Sequence, residues 1–66
     1  MRVIVNGIPS YVDEGATVAA LVAAHAVERR RVAAAVNGDV VPRSAWESTV
    51  LHDGDSVEIL AAVAGG

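Results

Sequence analysis

No cysteine occurs in the 66 residues, and that absence removes three kinds of chemistry. The chain can form no disulfide framework, no thiolate metal site and no cysteine nucleophile. It fits a reducing cytoplasm. Phenylalanine is also missing, and there is a single Trp and a single Tyr. The core must therefore be aliphatic, and 53% of the residues are hydrophobic, mostly valine and alanine. Positive charge is scarce: five Lys and Arg stand against eight Asp and Glu, a net charge of −3. That leaves no electrostatic footprint for nucleic acid. No apolar run approaches the ~20 residues of a membrane span. Met1-Arg2 passes directly into an apolar alternation, without the hydrophobic region of a signal peptide. A chain this short buries only about 60% of its unfolded surface. The expectation is one soluble, intracellular domain over residues 1–66, with neither nucleic acid nor membrane as a partner.

What the chain does contain is strongly patterned. Val3-Ile4-Val5 and residues 8–12 are β-rich runs separated by Asn6-Gly7, and Asn-Gly between apolar runs predicts a type I′ hairpin. Pro9 has no amide hydrogen, so the second strand belongs at a sheet edge. Thr17 can cap a helix, and Val18, Leu21, Val22 and His25 follow at i, i+3, i+4 and i+7, a helical stripe filled in by alanines. His25 reads as a boundary residue near the helix C-terminus, where a cation is favoured. Glu28, Arg29, Arg30 and Arg31 form the one charge cluster, and its plain reading is a solvated helix end or loop.

Residues 32–36, Asn37-Gly38 and residues 39–42 repeat the hairpin pattern, with Pro42 stopping the strand. Ser44 and Glu47 have capping-box spacing, which predicts a short helical turn anchored by Trp46. His52-Asp53-Gly54-Asp55 reads as a turn, because its spacing matches no metal site. Residues 56–60 form a last strand in which Ser56 and Glu58 alternate with Val57 and Ile59. The order is β-β-α-β-β-turn-β. Placing the two terminal strands side by side and parallel requires a crossover, which the intervening chain supplies. The predicted fold is α+β: a β-grasp, or ubiquitin-like, roll with a mixed sheet of four to five strands on one helix. Val3 and Val5 should face the helix beside Val57 and Ile59. Ile4 and Leu60 should lie at corresponding places on the outer face, a candidate partner surface.

The final residues carry the functional signal. Gly65-Gly66 follow the apolar run Ala61-Ala62-Val63-Ala64. Glycine lacks a Cβ, so a tail of Val63, Ala64, Gly65 and Gly66 can be thin and extended, with a terminal carbonyl open to attack. The plain alternative is a loose end. The chain holds no nucleophile, base or phosphate cradle arranged for catalysis, so no catalytic or metal residue is assigned.

Over its whole length the chain resembles the ThiS-type sulfur carrier proteins of thiamine biosynthesis. The resemblance lies in Val5-Asn6-Gly7, in the segment from Val36-Asn37-Gly38 through Val41-Pro42-Arg43 to Trp46, and in Asp53-Gly54-Asp55 through Val63-Ala64-Gly65-Gly66. It implies that a ThiF-like or MoeB-like adenylyltransferase joins the Gly66 carboxylate to AMP, using ATP and Mg²⁺ that the carrier itself does not bind. Sulfur from a cysteine-derived persulfide, delivered by a sulfur donor enzyme, would then displace AMP to leave a thiocarboxylate. A ThiG-like thiazole synthase would receive that sulfur. The carrier would be a cosubstrate, not an enzyme, and monomeric when free. Two alternatives stay open: a carrier similar to the molybdopterin synthase small subunit, or a ubiquitin-like interaction module or modifier without sulfur transfer.

Overall fold

The computed structural model describes residues 1–25 and 32–61. Its elements are β1 (Arg2–Val5), β2 (Ile8–Tyr11), α1 (Val18–His25), β3 (Val32–Val36), β4 (Asp39–Val41) and β5 (Ser56–Ala61), with a 3₁₀ turn at Arg43–Ala45. Both hairpins reverse at Asn-Gly. Asn6 and Gly7 have φ of 50° and 82°, and Asn37 and Gly38 have 50° and 87°. Positive φ at both central positions is the type I′ geometry, which asparagine tolerates and glycine adopts freely.

The five strands form one mixed sheet in the order β2-β1-β5-β3-β4. β1 and β5 run parallel, with Ile4 opposite Ser56 and Val5 opposite Val57. β3 lies antiparallel to β5, pairing Ala34 with Ile59 and Ala33 with Leu60. The strand last in sequence is thus the middle of the sheet, parallel to its neighbour from the N-terminal end, as the β-grasp expectation requires. Pro9 falls on the edge strand β2, where its missing amide hydrogen costs no ladder bond.

The helix starts where Thr17 permits it. Its Oγ1 accepts the Ala20 N–H at 3.2 Å. The free amides of the first turn find partners outside the helix, Val18 N–H donating to Thr49 O and Ala19 N–H to Trp46 O, both at 3.0 Å. Val18, Leu21 and Val22 are buried against Val3, Val5, Val32, Ala34, Val57 and Ile59 of the sheet, with Leu51 and Trp46 completing the core. His25, the last described residue of the helix, is exposed, its ring Nδ1 3.0 Å from the Leu21 carbonyl oxygen. The stripe of apolar positions ends one turn before it.

The expected capping box does not form. Pro42 occupies the N-cap of the 3₁₀ turn with φ −63° and ψ 149°, and no side chain caps it. The turn therefore begins before Ser44, and its third position falls to Ala45, which has no side-chain acceptor. Proline supplies the required φ without a backbone donor to satisfy, so the serine is not needed there. Trp46 does anchor the segment: it is buried, and its Nε1–H donates to Val41 O at 2.8 Å. The Arg43 guanidinium stacks over its ring, 5.1 Å from the centroid. The cluster of Glu28, Arg29, Arg30 and Arg31 lies outside the described residues. Among those described, no helix is long and apolar enough to cross a membrane.

Candidate functional site

The tail proposed to carry chemistry, Val63, Ala64, Gly65 and Gly66, lies outside the described residues. β5, the strand that leads to it, is described through Ala61. Hydrogen bonds hold this strand on both flanks. On the β1 side, Ile4 N–H donates to Asp55 O at 2.8 Å and Asn6 N–H donates to Val57 O at 2.9 Å. β1 then ends at Val5 and the chain turns away. The Asn6 side chain continues the ladder beyond that point: Nδ2–H donates to Ile59 O at 3.1 Å, and Oδ1 accepts the Ile59 N–H at 2.8 Å.

Asn37, in the second hairpin turn, does the same at the start of β5. Its Oδ1 accepts the Ser56 N–H at 2.9 Å, and its own N–H donates to Ser56 O at 2.7 Å. Its Nδ2–H also donates to Asp55 Oδ1 at 3.0 Å. Both hairpin turns therefore grip the same strand, near its two ends. Sequence pattern marks the two asparagines only as turn residues, because Asn-Gly is favoured there whatever the side chain touches. Nothing short of the sheet order reveals what the amides reach.

The outer face of the sheet carries the proposed partner surface. Alternation along β5 turns Val57 and Ile59 into the core and leaves Ser56, Glu58 and Leu60 exposed. Leu60 is 62% exposed. Ile4 shares this face but is only half-exposed, and it does not sit beside Leu60 as expected from the sequence. The register sets Ile4 opposite Ser56, four residues before Leu60, or roughly 13 Å along the strand. Two parallel strands can slide by two residues without changing which side chains face out, so alternation could not set this register. The neighbour of Leu60 is Ala33 on β3. Next to it, Ala35 stands between Glu58 on β5 and Val40 on β4. Val40 is 75% exposed. Leu60, Ala33, Ala35 and Val40 are thus the apolar residues on the β5-β3-β4 part of this face, and Val40 was not among the residues expected there.

The turn before β5 is organised by Asp55. Its Oδ2 accepts the His52 N–H at 2.8 Å, and its Oδ1 accepts the Asn37 amide. The bond from the His52 backbone holds the carboxyl below its ordinary value, helped by Asn37 and by the nearby His52 ring and opposed by slight desolvation. Asp53 ties the same turn to β1, its Oδ1 accepting the Arg2 N–H at 2.9 Å. Gly54, at φ 87°, makes the reversal possible. These bonds are all spent on local structure. Among the described residues, no group of three or more His, Asp or Glu side chains is placed to hold a metal ion. The arrangement holds β5 on both flanks in the middle of the sheet.

The family model of the ThiS family matches residues 3–66. The chain is similar to the thiamine biosynthesis protein ThiS from Geobacter metallireducens, whose crystal structure it matches at 39% identity and a TM-score of 0.85, with 100% of both chains covered. A solution structure of a thiamine biosynthesis protein from the same organism is matched at 40% identity and a TM-score of 0.80. That match covers 100% of this chain and 88% of the other. The chain is also 35% identical over 66 residues to a thiazole synthase from Paramagnetospirillum magneticum. It spans only 20% of that protein's length.

Proposed function

The chain belongs to the ThiS family, and from that premise we propose that it is a sulfur carrier for thiazole formation in thiamine biosynthesis, a cosubstrate rather than an enzyme. The observation that carries this reading is that the family match runs through Gly65 and Gly66, the residues to which the central strand leads. In the proposed reaction, an oxygen of the Gly66 carboxylate attacks the α-phosphorus of ATP and pyrophosphate leaves. The resulting acyl adenylate has AMP as a good leaving group, whereas a free carboxylate is a poor electrophile. The terminal sulfur of a donor cysteine persulfide then displaces AMP at the same carbonyl carbon to give an acyl disulfide. A second thiol attacks the donor cysteine's sulfur, forming a new disulfide with it and releasing the thiocarboxylate, which delivers its sulfur to a thiazole synthase. An adenylating enzyme supplies ATP and Mg²⁺ binding, and Leu60 with its neighbours on the outer face supplies the docking surface.

Similarity to solved thiamine biosynthesis proteins supports the thiamine pathway over a molybdopterin role. A thiazole synthase that contains a stretch similar to the whole of this chain supports that enzyme class as the receiving partner. The test is mass spectrometry of protein isolated from its native host. A sulfur-for-oxygen mass increase confined to the peptide ending in Gly66 is the expected result. Ladders of isopeptide conjugates would indicate a protein modifier instead, and an unmodified terminus under sulfur-replete growth would refute the carrier reading. Adding one residue after Gly66 moves the carboxylate by ~3.3–3.6 Å along an extended chain. Both that variant and the deletion of Gly66 should abolish adenylation, since misplacement by ~1 Å can already cost 10²-fold in rate.

A further inference from the structure

A residue in the middle of a strand offers its neighbour one N–H and one C=O. At Ile59 the neighbour on the β1 side should be a β1 residue beyond Val5, but the first hairpin has already turned at Asn6-Gly7. The Asn6 side chain supplies both missing groups from one planar amide, meeting Ile59 N–H at 2.8 Å and Ile59 O at 3.1 Å. No other side chain except glutamine carries a donor and an acceptor in that peptide-like arrangement. We propose that Asn6 is a positioning residue for the carrier reaction: it stands in for the missing β1 residue and so sets the line along which β5 leaves the sheet towards Gly66. The inference rests on the sulfur-carrier reading above.

The position of these bonds gives the amide its leverage. Ile59 is followed by seven residues to Gly66, and a seven-residue segment spans at most ~23–25 Å when extended. Beyond Ile59, β5 keeps its pairing with β3, Ala33 opposite Leu60 and Val32 opposite Ala61, so the Asn6 amide is what holds its other flank there. A tilt of ~10° at Ala61 would move the end of an extended five-residue segment by ~3 Å, beyond the ~1 Å that can cost 10²-fold in rate. Asn37 grips β5 with the same chemistry at Ser56, at the opposite end of the strand. It therefore contributes to the body but has no comparable hold on the exit. The two asparagines form a matched pair of which only Asn6 reaches the C-terminal half of β5.

The experiment compares Asn6→Gly with Asn37→Gly in the full-length protein. Glycine keeps the positive φ that each turn needs and deletes the side chain with its amide, and any cost in backbone entropy applies equally to both variants. Pyrophosphate release is followed with ATP and the adenylating enzyme of the same host, over a range of carrier concentrations. For Asn6→Gly, kcat should fall about tenfold or more while KM stays within about threefold, because the docking face is untouched. Asn37→Gly should keep kcat within about twofold, even though it loses an additional bond to Asp55. Equal kcat values for Asn6→Gly and the parent would overturn the proposal. So would a fall in both variants that simply follows melting temperature, or an effect of Asn6→Gly on KM alone. If Asn6→Gly does not fold at the assay temperature, Asn6→Asp decides: it keeps an acceptor for Ile59 N–H but sets a carboxylate against Ile59 O. A fall in kcat then supports the proposal and an unchanged kcat overturns it. If the parent itself releases no pyrophosphate, the carrier reading falls, and this inference falls with it.

Discussion

Ile59 and Leu60 are adjacent in β5 but face opposite ways, and truncating each in turn measures what the sheet's inner face contributes. Ile59 is 9% exposed and lies beside Val57 and Ala34 in the core, whereas Leu60 is 62% exposed. Ile59→Val removes one methylene, worth about 0.8 kcal/mol in transfer from water. Allowing for imperfect closure of the space, the expected loss is ~0.5–1.5 kcal/mol. Ile59→Ala removes three carbons, about 2.4 kcal/mol of transfer, and the residual cavity raises the range to ~2–5 kcal/mol. Leu60→Ala should change stability by no more than about 0.5 kcal/mol. Urea unfolding followed by Trp46 fluorescence is the assay, since that indole is buried in the same core. In a thermal melt, each kcal/mol should appear as a shift of about 4–8 °C for a chain of this size. If Ile59→Ala leaves no folded protein, Ile59→Val still reports the inner position. A loss below about 1 kcal/mol for Ile59→Ala, or an equal loss for Leu60→Ala, would refute the assignment of faces and with it the outward presentation of Leu60.

Leu60→Asp should leave circular dichroism unchanged while weakening binding to the adenylating enzyme, and an unchanged affinity by calorimetry would remove Leu60 from the docking surface. Asp55 has its carboxyl lowered chiefly by the His52 backbone bond. A depressed carboxylate contributes stability above its unfolded pKa and loses it as pH falls through the folded value. Asp55→Asn should therefore destabilise at neutral pH and flatten the acid loss of stability below about pH 4, and parallel stability profiles for parent and variant would contradict this. Trp46→Phe strips the donor from the Val41 carbonyl and should cost ~1–3 kcal/mol. Urea titration followed by far-ultraviolet circular dichroism checks it, and a neutral result would mean that water replaces the indole.

The sequence revealed the fold through the residues that have few alternatives. Asn6-Gly7 and Asn37-Gly38 admit little but a tight hairpin, and Val3, Val5, Val57 and Ile59 can be buried together only on one face of neighbouring strands. The register of β1 against β5 was not legible. Those strands are joined by some fifty residues, and no turn length transmits an alignment over that distance. Ile4 therefore looked like a neighbour of Leu60 when it pairs with Ser56. The capping box failed for a local reason, because Pro42 had already begun the turn and left Ser44 inside it. At the site, exposure of Leu60 followed from alternation alone. The part played by Val40 depended on which strand lay beyond β3, and the grip of Asn6 on Ile59 depended on where β1 stops relative to β5.

A strand gripped in this way has a mechanical property. Tension applied through the residues beyond Ala61 acts along β5, whose bonds to both neighbours lie across that direction. They are loaded together in shear, not opened one at a time as in a peeling hairpin. On one flank the resisting bonds include those from Ile4, from the Asn6 backbone and from the Asn6 amide. On the other are the pairings with β3 and the bonds to Asn37. Under the proposed function, a pull on the residues after Ala61 would therefore load the centre of the sheet and not one of its edges.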